Sequence, residues 1–208
     1  MLFRSRHGAA GGKGYFLTTS EKDYVKKRNI LVKQGLIKGD SDLYLQEYVM
    51  GVLAYLQFFY SPLTGNLEFF GVDKRHESDI EGLARIPAPQ QMGMDYISSF
   101  NVIGNSPMVL RESLLDEVYQ MGERFVLASK RLVKPGMNGP FCIEGVYDQD
   151  GKFWSFEFSA RIVAGTNIYM DGSPYSTLIH DVPMSMGRRI AKEIKTAAKS
   201  KKLEKITT

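Results

Sequence analysis

FCIEGVYDQDGKFWSFEFSAR, residues 141–161, alternates apolar and polar side chains on both sides of Asp148-Gln149-Asp150-Gly151, a composition that reverses a chain. Two strands are predicted, Phe141–Tyr147 and Lys152–Val163. A two- or four-residue loop centred between Gln149 and Asp150 sets Glu144 opposite Ser155. Glu157 then lies on the same face one diagonal step away, at roughly 7–8 Å. A three- or five-residue loop would send the two glutamates to opposite faces. On the second strand Trp154, Phe156, Phe158 and Ala160 form the expected core face, joined by Phe141, Ile143 and Tyr147 from the first. Ser155, Glu157, Ser159 and Arg161 form the expected site-lining face.

Two carboxylates so placed suit a divalent ion whose shell is completed by phosphate oxygens. A solvated polar face is the commoner fate of an alternating strand. Three details speak against it here: the glutamates would repel each other without a cation, Arg161 lies in the same row, and Val163-Ala164-Gly165-Thr166-Asn167 is mostly small or polar. Glu144 and Glu157 are therefore the expected metal ligands.

Outward from the hairpin, three helices are expected. Ser20 caps Glu21–Gln34, which Gly35 stops. Leu114, Val118, Met121, Phe125, Ala128 and Leu132 make one apolar stripe, with Ser113 as cap and Pro135-Gly136 as terminator. A basic helix from about Met186 turns Ile190, Ile194, Ala197 and Ala198 inward. Leu43–Val49, Gly51–Tyr60 and Leu67–Val72 read as strands, the last two joined by the turn at 62–66. Asp73–Ser99 reads as a long irregular connection of the kind that carries function. Strands and helices in mixed order, mostly as hairpins, give an α+β class.

Gly8-Ala9-Ala10-Gly11-Gly12-Lys13-Gly14 leaves backbone N–H groups open to an anion, and Lys13 adds a charge. Its spacing is not that of a Walker A loop, and Tyr15–Thr19 after it looks like a strand. The loop is either a flap over phosphates or a plain tight turn. Gln46-Glu47-Tyr48-Val49 ends a strand that can offer backbone groups to an adenine edge or be ordinary core. Glu77 and Asn105 are polar residues beside predicted elements. His7, His76 and His180 lack metal-ligand spacing, and Cys142 has no partner cysteine.

Across 208 residues, 43% hydrophobic and 24% charged composition excludes a disordered or fibrous chain. No apolar run approaches the roughly 20 residues that span a bilayer. The N-terminus has no secretory h-region. With a single cysteine, a soluble cytoplasmic protein is expected, without membrane partners. Residues 188–205 carry eight basic residues against two acidic, a local +6 within a total of +4, so the remainder sums to −2. A basic terminal helix on a near-neutral body argues against a nucleic-acid partner.

HGAAGGKGYF, QEYVMG, FFYSPL, DKRHESDIEGLARIPA, VIGNSPMVLRESLL, GPFCIEGV, FEFSARIVAGTNIYMDGSPYS and MSMGRRIAKEI together resemble the ATP-grasp superfamily and, within it, the archaeal formate-dependent 5-formaminoimidazole-4-carboxamide ribonucleotide synthetase family. The resemblance runs from about His7 to the C-terminus. It implies an ATP-grasp fold of antiparallel sheets and flanking helices. The expected division is a glycine-flap lobe at 1–50 and a metal- and substrate-binding lobe at 51–208.

The resemblance also implies a ligase of purine (IMP) biosynthesis. Formate attacks the γ-phosphate of ATP, and the 5-amino group of aminoimidazole carboxamide ribonucleotide takes the formyl group from formyl phosphate. Gly11, Gly12, Lys13 and Gly14 would cover the phosphates, and Glu47, Tyr48 and Val49 would contact adenine and ribose. Glu77 would bind the nucleotide and Asn105 the ribonucleotide. Glu144 and Glu157 would hold Mg²⁺ or Mn²⁺. Arg161, from its place in the row beside Glu157, is the expected stabiliser of the acyl-phosphate transition state.

Departures from the family pattern accompany these implications. Ser159 stands where ATP-grasp chains usually carry Asn, Ser5 where the family has a lysine ahead of the flap, and Ala10 at a second basic position. An N-terminal pre-ATP-grasp domain is missing from the expected fold, so the chain reads either as a truncated enzyme or as a relic that binds nucleotide without turnover. Apolar surface left by that missing neighbour makes a homo-oligomer the expected assembly.

Overall fold

The computed structural model describes residues 2–5, 15–91, 94 and 101–207. The glycine loop lies outside these, and with it Gly11, Gly12, Lys13, Gly14 and His7. The chain forms two compact units. The first comprises 1–50 and 76–104, the second 51–75 and 105–208. Residues 76–104 thus group with the first fifty, where the sequence reading placed them in the second lobe. Among the described residues no helix is long and apolar enough to cross a membrane.

In the first unit β1 (Leu2–Ser5) lies between β2 (Tyr15–Leu17) and β3 (Leu43–Gln46), antiparallel to both. Helix α1 (Glu21–Lys33) starts where Ser20 accepts a hydrogen bond from the Asp23 amide and ends before Gly35 at φ 70°. Phe16, Leu31, Ile37 and Leu43 form its core, with Tyr24 against them. The unit also holds α2 (Ile80–Leu83) and α3 (Ala88–Gln91).

The second unit is built on a five-stranded sheet, two of whose strands run past its bounds at 75 and 105. Its strands are β4 (Val52–Tyr60), β5 (Leu67–Glu77), β6 (Val102–Met108), β7 (Gly139–Tyr147) and β8 (Phe153–Ser159), in the order β6-β5-β4-β7-β8. β5 continues five residues beyond the predicted end, and β6 was not predicted. The expected connection from Asp73 therefore opens as strand. On one face Leu56, Phe58, Phe69, Phe141, Ile143, Tyr147 and Phe153 pack with Val118 and Val126 of α4 (Leu115–Leu132).

Two helix faces differ from the sequence reading. A 3-10 turn, Glu112–Leu114, precedes α4, so Ser113 does not cap it. The buried line of α4 runs Val118–Gly122–Val126, and Leu132 is exposed. The cause is close approach: a Cβ on Gly122 would meet Leu67 and Phe58 at 2.7–2.8 Å, so the smallest residue faces the sheet. Met121 and Phe125 flank that line, partly buried.

In α5 (Met186–Lys199), capped by Ser185, the inward residues are Met186, Arg189, Glu193 and Ala197, while Ile194 and Ala198 are exposed. Charge decides that face. Arg189 binds the buried Glu68 of β5 at 2.8–2.9 Å and Glu193 at 2.8 Å, and its guanidinium lies 4.1 Å over the Phe59 ring. Ser61 and His180 complete the cluster through Glu193 and Glu68.

Candidate functional site

The hairpin loop is longer than the reading in which Glu144 faces Ser155. Tyr147 pairs with Phe153 across Asp148–Lys152, a five-residue loop. Continued regularly, that register would put the glutamates on opposite faces. A β-bulge restores them: Gly145 pairs with Ser155 but Glu144 pairs with Glu157, leaving Phe156 as the extra residue. The two carboxylates are therefore direct cross-strand partners, closer than the diagonal placement expected.

The bulge reassigns the side chains around it. Trp154 shares the glutamate face and is exposed, and Phe156 packs on that face with Tyr55, Cys142 and Val163. Ser155 turns to the opposite face. Phe158 is exposed with its ring edge-on to Phe125, and Ala160 is exposed beyond the strand end. Phe141, Ile143 and Tyr147 lie in the core as expected.

Register carries the site sideways across four strands. Asp73 pairs with Tyr55, Tyr55 with Glu144, and Glu144 with Glu157. Beside this row Gly71, Gln57, Cys142 and Ser159 form a second. Two residues beyond Asp73 stands Arg75. Its guanidinium lies 3.6 Å over the Tyr55 ring and reaches the Glu144 oxygens at 3.3 and 3.4 Å. Its Nε is buried and, among the described residues, makes no hydrogen bond. The Ser159 hydroxyl donates to Glu144 Oε1 at 3.0 Å.

Burial dominates the electrostatics. Desolvation raises the Glu144 pKa and outweighs Arg75 and the Ser159 hydrogen bond, while the Glu157 charge adds to the rise. Desolvation likewise raises Asp73, against hydrogen bonds from Asn105 and Gln57 and the charge of Arg75. Burial pushes the Cys142 thiol up, so it is an inert filler between the rows.

Among the described residues no group of three or more His, Cys, Asp or Glu side chains could hold a metal ion. A cation at this row would have Glu144 and Glu157 as its protein ligands. The donor set fits a hard divalent ion, which takes one or two carboxylates plus phosphate oxygens and waters. Arg75 reaches Glu144 only through long contacts, while the Ser159 hydroxyl holds Oε1 at 3.0 Å.

Arg161 lies past the end of β8, exposed, and its Nη1 donates to the Ile162 carbonyl at 2.9 Å. Its charge is felt at Cys142. Asn105, in β6, donates its amide to Asp73 at 2.7 Å. In the first unit Glu47, Tyr48 and Val49 follow the end of β3, and Glu47 and Tyr48 are exposed. Burial raises the Tyr48 pKa, and so does the charge of Glu77, which places these two residues within reach of each other.

Asp73, Arg75 and Gln57 escaped the sequence reading. The signal was present in the period-2 run Gly71, Asp73, Arg75 and in one amide, Gln57, inside the apolar run of β4. Reading Asp73 as the start of a connection hid the first. The second needs a buried partner before it means anything.

Residues 23–208 match the model of a family described as a domain of unknown function (DUF1297). The chain is 70% identical over 203 residues to a 5-formaminoimidazole-4-carboxamide-1-(beta)-D-ribofuranosyl 5'-monophosphate synthetase of Nitrosopumilus maritimus, a match covering 98% of this chain and 60% of that protein. The crystal structure of an IMP biosynthesis protein PurP from Thermococcus kodakaraensis matches with TM-score 0.69 at 36% identity, over 81% of this chain and 53% of that one. An N5-carboxyaminoimidazole ribonucleotide synthetase solved with ADP matches with TM-score 0.56 at 13% identity, over 90% of this chain and 39% of that one. The last likeness speaks to fold alone, and the fold is the α+β ATP-grasp fold. The chain spans about three fifths of the length of the curated relatives it matches. With a family model matching all but its first twenty-two residues, this chain belongs to the family described as a domain of unknown function (DUF1297).

Proposed function

We propose that the chain supplies the ATP- and metal-binding part of a formate-dependent ligase that forms 5-formaminoimidazole-4-carboxamide ribonucleotide. A formate oxygen attacks the γ-phosphorus of ATP, the bond to ADP breaks, and formyl phosphate results. The 5-amino nitrogen of aminoimidazole carboxamide ribonucleotide then attacks the formyl carbon, loses a proton and expels phosphate. The names of the 70%-identical relative and of the PurP structure support this reading.

The observation that carries it is the direct pairing of Glu144 with Glu157. Mg²⁺ or Mn²⁺ held by these carboxylates would neutralise charge on the phosphate oxygens during phosphoryl transfer. Arg75 and Ser159 orient Glu144 for that task. Arg161 serves as the cation for the acyl-phosphate transition state. Gly11, Gly12, Lys13 and Gly14 cover the phosphates, Glu47, Tyr48 and Val49 contact adenine and ribose, Glu77 binds the nucleotide, and Asn105 meets the ribonucleotide.

The test is ADP release by the purified chain with Mg·ATP, omitting formate and the ribonucleotide in turn. Dependence on both supports the ligase. Mg·ATP binding with no turnover would replace it with a nucleotide-binding module.

A further inference from the structure

Asp73 is fully buried and takes part in no step above. Its carboxylate accepts from two side-chain amides, Gln57 Nε2 at 2.5 Å and Asn105 Nδ2 at 2.7 Å. Gly165 closes over it: a Cβ there would lie 2.1–2.2 Å from the Asp73 carboxyl atoms, so only glycine lets this loop seat on the acid. The carboxylate is thus enclosed, with one amide fixed beneath the sheet surface and the other, Asn105, half-buried at its edge.

An ionised carboxylate accepts and cannot donate, so it dictates which end of each amide faces it. Asn105 must turn its NH₂ inward, and its carbonyl oxygen is left pointing away. Among the described residues nothing donates a hydrogen bond to that oxygen. The nearby negative charge of Asp73 further polarises the amide and strengthens Oδ1 as an acceptor.

We infer that Asp73 is a positioning residue that locks Asn105 as a hydrogen-bond acceptor and so selects a ligand presenting N–H donors, an amine or carboxamide, over one presenting a carboxylate. The inference rests on the reading that Asn105 meets the ribonucleotide. On that ligand the amine and the carboxamide are ring neighbours, so a carboxylate in place of the carboxamide would bring an anion against a fixed acceptor backed by a buried acid. Sites built around a specific hydrogen bond reject the mismatched analogue because the buried polar group is left unpaired.

The experiment titrates the chain, with Mg·ATP present, with 5-aminoimidazole-4-carboxamide ribonucleotide and with the 4-carboxylate analogue. The wild type should favour the carboxamide by about tenfold or more. Asp73→Asn frees the Asn105 amide to flip, and the ratio should fall toward one while Mg·ATP affinity stays within about twofold. If that variant does not fold, Asn105→Leu removes the acceptor itself and should collapse the ratio by weakening the carboxamide alone. Asp73→Asn or Asn105→Leu that weakens both ligands equally and keeps the ratio makes Asp73 merely structural and overturns the inference. Equal wild-type affinity for the two ligands overturns it while leaving Asn105 as a ribonucleotide contact. Wild-type protein that binds Mg·ATP but neither ribonucleotide removes the reading of Asn105 and the inference with it.

Discussion

Among the described residues, the second unit pairs a buried arginine, Arg189, and a half-buried one, Arg75, with buried glutamates, and the two pairs are built to different standards. Arg189 meets Glu68 through Nε and Nη2 at 2.8–2.9 Å, with Glu193 at 2.8 Å on its remaining nitrogen and Ser61 on Glu193 at 2.6 Å. Arg75 meets Glu144 only at 3.3 and 3.4 Å, and among the described residues its buried Nε has no hydrogen-bond partner. Both arginines rest on aromatic rings, Phe59 and Tyr55. The tight cluster docks α5 on the sheet, with every guanidinium nitrogen and every carboxylate oxygen engaged at 2.6–3.0 Å. The loose one leaves donors and a carboxylate open to exchange, which is what a ligand site needs and a structural pair does not.

The sharpest way to break this contrast is Arg189→Met, which strands Glu68 and Glu193 without their cation. Urea unfolding should show a loss of about 3–5 kcal/mol. A loss below 1 kcal/mol would mean the cluster is no more structural than the site.

Next in size, Glu157→Gln should weaken Mg·ATP binding by at least tenfold, about 1.4 kcal/mol by isothermal titration. Its unfolding midpoint should barely move, because Glu157 is exposed. Unchanged affinity would remove the carboxylate pair from the metal reading.

Arg75→Met should cost about 1 kcal/mol in the same unfolding assay, well below Arg189→Met, since its hydrogen bonds are long. Equal costs for the two variants would erase the distinction.

The smallest effect is in pH. Burial raises the folded-state pKa of Glu144, so the native state holds that proton more tightly than the unfolded chain. Through this group, stability should therefore fall as pH rises from the unfolded carboxylate pKa of about 4.3 through the raised folded value. Glu144→Gln lacks this dependence, so the stability difference between variant and wild type should grow with pH across that window. A difference that shrinks with pH would show that Arg75 outweighs burial.

Much of this site was legible from residue order. Alternation marked both hairpin strands, Asp148–Gly151 marked the reversal, and two glutamates stood out on a polar row. Loop length was the weak point. The five-residue loop by itself would have separated Glu144 from Glu157, and the extra residue Phe156 brings them back together. That bulge is held by Phe156 packing on Val163 and on Tyr55, about a hundred residues earlier in the chain, so no local pattern announces it.

The face of α5 was misread for a related reason. Periodicity ranks residues by hydrophobicity, and Ile194 outranks Arg189 until Glu68 of another strand requires a buried cation. Local order thus determined the two hairpins and the three long helices, because turn chemistry and side-chain alternation act between near neighbours, but not β6 or the far end of β5. Tertiary packing decided that one hairpin lies beside the other, β4 against β7, and so aligned Asp73, Tyr55, Glu144 and Glu157 across the sheet. Lateral register depends on hydrogen-bond ladders and bulges between strands whose paired residues, such as Val52 and Tyr147, stand far apart in the chain, where the partners' shapes choose the pairing.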